Sequence, residues 1–187
     1  MGALDNIRVI DFGHYVAGPV VGMLLADQGA DVIKIEPPSG DYIRQMTWPI
    51  INGVSLLHLH THRGKRSMTL DLRTELGKEA FLKLAGTADV MISNFSGGTL
   101  DGWGIGYDVV SGRNPRIVYA TGSMFGADGP EAGREGADHV DIGVGRADRE
   151  RSGEAPGRPH RRPGVGRGTR GQPVVAERPA RRVVTEH

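Results

Sequence analysis

The 187-residue chain contains no cysteine. Disulfides, thiolate metal ligands and a cysteine nucleophile are therefore ruled out. Also missing is any apolar run near the roughly 20 residues that a membrane-spanning helix needs, so no membrane partner is expected. The opening Met1-Gly2-Ala3-Leu4-Asp5 has neither the basic start nor the apolar core of a secretory signal. Asn6 stands where a myristoylation motif requires Ser or Thr. A cytoplasmic location is the expectation.

A second set of absences is local. Residues 141–187 hold no Leu, Met, Lys, Asn or aromatic residue, but eleven Arg, eight Gly and five Pro. Six acids offset the arginines, leaving this segment at +5; the whole chain is +1, so residues 1–140 carry −4. An acidic domain thus precedes a basic tail. The tail cannot bury enough apolar surface to offset its ordering entropy and reads as disordered. Three origins fit: a natural basic extension for nucleic acid or membrane, an inert flexible tail, or an out-of-frame translation of GC-rich DNA. The abrupt loss of both Leu and Lys favours the third. With no aromatic residue to stack on bases and acids scattered among the arginines, a nucleic-acid partner rests on charge alone and is not expected.

Residues 1–140 suffice for one domain with a modest core. Their pattern alternates strand and helix. Strands are expected at about Ile7–Phe12, Val32–Glu36, Ser67–Leu72, Val90–Asn94 and Ile117–Thr121, with helices at Gly18–Gln28 and Thr74–Ala85. Pro19 suits a first helical turn, Gly29 a left-handed cap, and Pro37-Pro38 a strand stop. In the second helix Leu76, Ala80, Phe81 and Leu84 fall at helical spacing behind Thr74 as N-cap. Residues 39–62 carry no assignment. The fold class is α/β: a Rossmann-like, mainly parallel, doubly wound sheet. Such sheets bind ligands beyond the carboxyl ends of their strands.

Five blocks carry more specific information. They are Ile7–Pro19 with Gly29–Pro38, Arg63–Leu72, Asp89–Leu100, Asn114–Tyr119, and Phe125-Gly126 through Gly129-Pro130. In this order, over residues 4–140, they resemble the family III CoA-transferases, which include formyl-CoA transferase, the carnitine CoA-transferase group and the α-methylacyl-CoA racemases. Pro37 and Gly102 stand where some members of that family carry arginines.

The resemblance implies coenzyme A, as an acyl-CoA substrate, and a carboxylic acid acceptor. It implies CoA contacts at Tyr15, Val16 and Ala17, at Leu70, Asp71, Leu72 and Arg73, and at Asn94, Phe95 and Ser96. It also implies an interlocked homodimer for the intact protein and no metal. In that family an aspartate attacks the acyl-CoA thioester. No acid stands at the corresponding distance beyond Arg134–Asp138, so no catalytic residue is assigned and the chain alone is expected to be inactive. For a racemase, His139 lies near the expected base. A non-catalytic CoA-binding module with a basic tail is the alternative of another class. Residues 1–140 alone would leave a sheet edge uncovered.

Two further groups carry chemistry. Arg44, Lys65 and Arg66 are either phosphate-binding cations or a solvated face. His58, His60 and His62 would share one face of a strand and could hold a metal there, although a short polar strand or loop explains them equally.

Overall fold

The computed structural model describes residues 2–46 and 49–126 and the backbone of 174–177. Seven strands and five helices fill 8–122. They run β1 (Arg8–Asp11), α1 (Ala17–Asp27), β2 (Asp31–Glu36), β3 (Ile50–Ile51), β4 (Val54–Ser55), α2 (Leu56–Thr61), β5 (Arg66–Thr69), α3 (Glu75–Ala85), β6 (Val90–Ser93), α4 (Thr99–Gly102), α5 (Tyr107–Arg113) and β7 (Val118–Gly122). The main sheet has the order β5-β2-β1-β6-β7, all parallel. The α/β class read from the sequence is the one observed.

Apolar runs explain the central strands. In a parallel sheet covered on both faces a strand is buried throughout, so it reads as continuous hydrophobics rather than an alternation. Ile10, Ile33 and Ile35 point to one face, where they pack with Phe81 and Ala85 of α3 and Val110 of α5. Val9, Val32 and Ile92 point to the other, against Leu25 and Ala26 of α1. Phe81 has no exposed surface and meets Phe12 at a ring distance of 5.5 Å. Its truncation to Ala would cost about 3–5 kcal/mol.

The helix ends follow local chemistry. The Thr74 hydroxyl accepts from the Gly77 N–H at 3.0 Å, which starts α3. Gly29, at φ 101°, turns the chain out of α1 towards β2.

The unassigned stretch is ordered by turns. Asn52 and Gly53, at φ 51° and 79°, close the β3–β4 hairpin, whose two-residue turn needs left-handed backbone at both positions. Ser55 then caps α2 by accepting from the His58 N–H at 3.1 Å. His58 and His60 therefore lie on a helix and His62 is its C-cap, so no strand carries the three. Their two-residue spacing no longer brings them to one face: His58 and His62 stack at 4.1 Å while His60 faces solvent.

Among the described residues, one further strand lies beyond residue 122. Val174–Glu177 (β8) lies antiparallel to β7 at the sheet edge, where consecutive β-branched residues favour extended backbone. The opposite edge, β5, is exposed at all four residues. Asp138, His139 and the rest of the tail lie outside the described residues.

Candidate functional site

Strand order places the switch point of the sheet between β1 and β6, since the chain leaves β1 towards β2 on one side and returns to β6 on the other. A cleft of about 810 Å³ opens there, beyond the carboxyl ends of β1, β2, β5 and β6. Its walls come from Phe12–His14 after β1, Pro37–Tyr42 after β2, Leu70–Arg73 after β5, Phe95 after β6, and Gly102-Trp103.

Rings dominate the inner wall. The His14 imidazole stacks on Phe95 at 4.5 Å and 21°, and Phe95 meets Trp103 edge-on at 5.1 Å. Towards the rim Tyr15 stacks on Tyr42 at 5.4 Å. Tyr15 holds a left-handed φ of 63°, which a non-glycine residue adopts only at a cost. Burial pushes the His14 imidazole below its usual pKa, keeping it neutral. Leu70 and Leu72 supply aliphatic surface opposite. At the rim the Arg73 guanidinium is largely exposed and held by Asp71 through two bonds of 2.8 Å. The Arg73 side chain in turn drops the Asp71 carboxyl to about 2. An apolar, ring-lined cleft with cations at its mouth suits a flat base bearing anionic groups.

Beneath the cleft runs a layer of paired charges. Lys65 Nζ bonds Asp11 Oδ2 at 2.5 Å and the Pro19 carbonyl at 2.6 Å. Lys34 donates to the Gly13 carbonyl and forms an ion pair with Asp41 at 3.4 Å. Glu36 receives both Arg44 nitrogens at 2.7 and 2.8 Å and the Asp41 N–H at 2.9 Å. Burial alone would raise the Glu36 carboxyl, but the Arg44 hydrogen bonds outweigh it and hold the group at about 2. Arg66 is taken up by Asp31 at 2.6 and 2.9 Å. Arg44, Lys65 and Arg66 are thus each matched to a carboxylate, and none projects into the cleft as a free cation.

The ten residues named from the resemblance divide in two. Leu70, Asp71, Leu72, Arg73 and Phe95 line the cleft. Tyr15, Val16 and Ala17 sit beside it at the start of α1, and Asn94 and Ser96 flank Phe95 without lining it. Pro37 and Gly102, the two departures from the arginine-bearing pattern, both line it. Tyr42, Trp103 and Lys78 also line it, and no motif marked them. Asp41-Tyr42 behind Pro38-Ser39-Gly40 was the available signal: a turn that must follow a strand stop delivers its next side chains to the strand end. Among the described residues no group of acids and histidines is arranged to hold a metal. No described helix is long and apolar enough to cross a membrane.

Comparison with known proteins agrees with this arrangement. The family model "CoA-transferase family III" matches residues 4–165, reaching 25 residues past the expected boundary at 140. A probable fatty acyl-CoA transferase of Mycobacterium tuberculosis, Rv3272, is 44% identical over 140 residues, covering 73% of this chain and 35% of that protein. A succinyl-CoA:mesaconate CoA-transferase of Haloarcula hispanica is 43% identical over 130 residues, covering 67% of this chain and 33% of the relative. The Rv3272 crystal structure superposes with a TM-score of 0.71 at 42% identity, over 77% of this chain and 40% of that one. A CAIB/BAIF family protein from Brucella suis gives 0.71 at 41% identity, over 77% and 39%. The chain spans about a third of the length of the curated relatives it matches. With the match running across every segment that builds the cleft, the chain belongs to CoA-transferase family III.

Proposed function

We propose that this chain holds the CoA moiety of an acyl-CoA in the cleft at the β1/β6 switch point, as the CoA-binding portion of an enzyme that passes CoA from a thioester to a carboxylic acid. The observation that carries the reading is the convergence of Leu70–Arg73 and Phe95, from two separate family blocks, on one ring-lined cavity. Phe95, His14 and Trp103 offer faces and edges for the adenine. Arg73 and Lys78 line the mouth and could take phosphates there by exchanging their present partners, Asp71 and Glu75.

The transfer itself requires a carboxylate nucleophile. It attacks the thioester carbonyl and expels the CoA thiolate, giving a mixed anhydride. The thiolate attacks the enzyme's own carbonyl in it and releases the donor carboxylate. The acceptor carboxylate then attacks the enzyme thioester, forming a second anhydride whose acceptor carbonyl the thiolate takes, freeing the enzyme carboxylate. Among the described residues, Asp41 and Asp71 are the carboxylates lining the cleft. Asp41 faces Lys34 and Asp71 is bound by Arg73, so we assign the nucleophile to neither. On this reading the 187-residue chain binds CoA without turning it over. The intact protein is a cytoplasmic homodimer, a state supported by the uncovered β5 edge. Residues 141–187 are read as out of frame on their composition, against which stands the family match as far as residue 165; translating all three frames of the coding DNA beyond codon 135 decides between them.

Calorimetric titration with CoA tests the site. The expected result is one site per chain, weakened about tenfold or more by Phe95→Ala, since a stacked base contributes roughly 1–3 kcal/mol. No heat of binding at millimolar CoA overturns the proposal. Thioester exchange by the chain alone would overturn its non-catalytic part.

A further inference from the structure

The turn from Gly13 to Gly18 is gripped from outside. Lys34 on β2 takes the Gly13 carbonyl, and Lys65, just before β5, takes the Pro19 carbonyl. Asn94, just after β6, takes both polar groups of His14. Its Oδ1 accepts the His14 N–H at 2.7 Å and its Nδ2 donates to the His14 carbonyl at 2.9 Å. Only one amide orientation satisfies both bonds, so the side chain has a unique pose.

Packing reinforces the grip. Gly13 and Gly18 lie back to back: a Cβ on Gly18 would stand 2.7 Å from the Gly13 Cα and 2.8 Å from Asn94 Oδ1. The turn therefore closes directly on the Asn94 amide, with no space for a methyl group. Asn94 itself does not line the cleft, whereas the His14 it holds does.

We infer that Asn94 is a positioning residue: its amide locks the β1–α1 turn against the β6 loop and thereby fixes the His14 ring on Phe95 in the cleft wall. The inference rests on the proposal that CoA occupies this cleft, and it adds a positioning role to the CoA contact that the family resemblance implies for Asn94. Cleft shape would then depend on one side chain spanning the switch point, since 80 residues separate the partners.

The experiment pairs two readouts on the full 187-residue chain: amide hydrogen exchange at His14 and CoA affinity by titration. Asn94→Ala should speed His14 exchange at least tenfold, leave the Val32 and Ile33 amides protected, and weaken CoA about tenfold. Gly18→Ala, whose methyl would press on the Gly13 Cα and on Asn94 Oδ1 and so displace the turn from an intact Asn94 amide, should mimic it, and the double variant should be no worse than the poorer single one. Asn94→Asp keeps the acceptor and loses the donor, so His14 exchange should stay slow while CoA binding weakens less. It serves if either smaller variant fails to fold. Unchanged His14 exchange in Asn94→Ala overturns the inference. So do strictly additive effects of Asn94→Ala and Gly18→Ala on affinity, which would mean that Asn94 does not act through the turn. Failure of the unaltered chain to bind CoA sinks the proposed function instead, and the exchange arm still decides the clamp.

Discussion

Lys65 Nζ lies 2.5 Å from Asp11 Oδ2, with 1% and 0% of the two side chains exposed. Both charges are fully removed from water, and Gly22 leaves no room beside them, since a Cβ there would stand 2.7 Å from Asp11 Oδ2. Burial lowers the Lys65 pKa despite the neighbouring carboxylate. Lys65→Met would strand the Asp11 charge and should cost about 3–5 kcal/mol. Asp11→Asn in the same chain removes that charge while keeping an acceptor for the Gly13 N–H, and should recover at least about 1 kcal/mol. Urea denaturation of the two single variants and the double variant measures this coupling; strict additivity would refute it.

The stacked pair on α2 makes the chain acid-sensitive. Burial, then Lys65 and His58, push the His62 pKa to about 4, and burial also lowers that of His58. A histidine with a lowered folded-state pKa takes up its proton more readily when unfolded. Stability is therefore intact above the ordinary histidine value near 6.5 and declines as the pH falls to about 4. The loss from His62 is at most about 3 kcal/mol, and less because the ring keeps some contact with water. Melting temperatures across pH 7 to 4 should show this decline, and His62→Asn should flatten it.

The Glu36–Arg44 pair has the same sign of protonation linkage, in a more acidic window. With its folded-state pKa near 2, Glu36 contributes stability above about 4.5 that disappears as the pH drops through 2. Arg44→Met should raise the Glu36 pKa into or above the ordinary carboxylate range and cost about 2–3 kcal/mol at neutral pH. Carbon-detected titration of the Glu36 carboxyl reads the shift directly; an unmoved midpoint would show that the arginine is not its cause.

Trp103 provides an optical report on the cleft. The chain has two tryptophans, so Trp48→Phe leaves Trp103 as the sole emitter. It is 39% exposed and sits against Phe95. CoA should quench its emission or shift it to the blue by excluding water, with a midpoint matching the calorimetric one. Emission that ignores saturating CoA would place the ligand elsewhere.

The first β-α-β unit was legible because its signals agree: buried strands as apolar runs, Gly29 at the helix end, Pro37-Pro38 at the strand end. Residues 39–62 were not, although Asn52-Gly53 is a strong hairpin signal. Strands of two residues present too little pattern to flank it. The seven-residue helix α5 escaped for the same reason. At the site, the family resemblance nominated Phe95 but not Tyr42 or Trp103, which reach the cleft through the fold. Lys34 and Lys65 were the hardest to place, because charged side chains are read as surface unless a buried partner is known.

The grip on the Gly13–Gly18 turn also bears on when the molecule matures. Its three holders stand at positions 34, 65 and 94, so a nascent chain ending after β2 already has the strand, the turn and the helix, yet lacks two of the three restraints. Contacts this far apart along the chain are entropically costly to close and come late in folding. The cleft is consequently assembled after the secondary structure that frames it, and residues 1–36 grafted into another protein would carry the motif without its conformation.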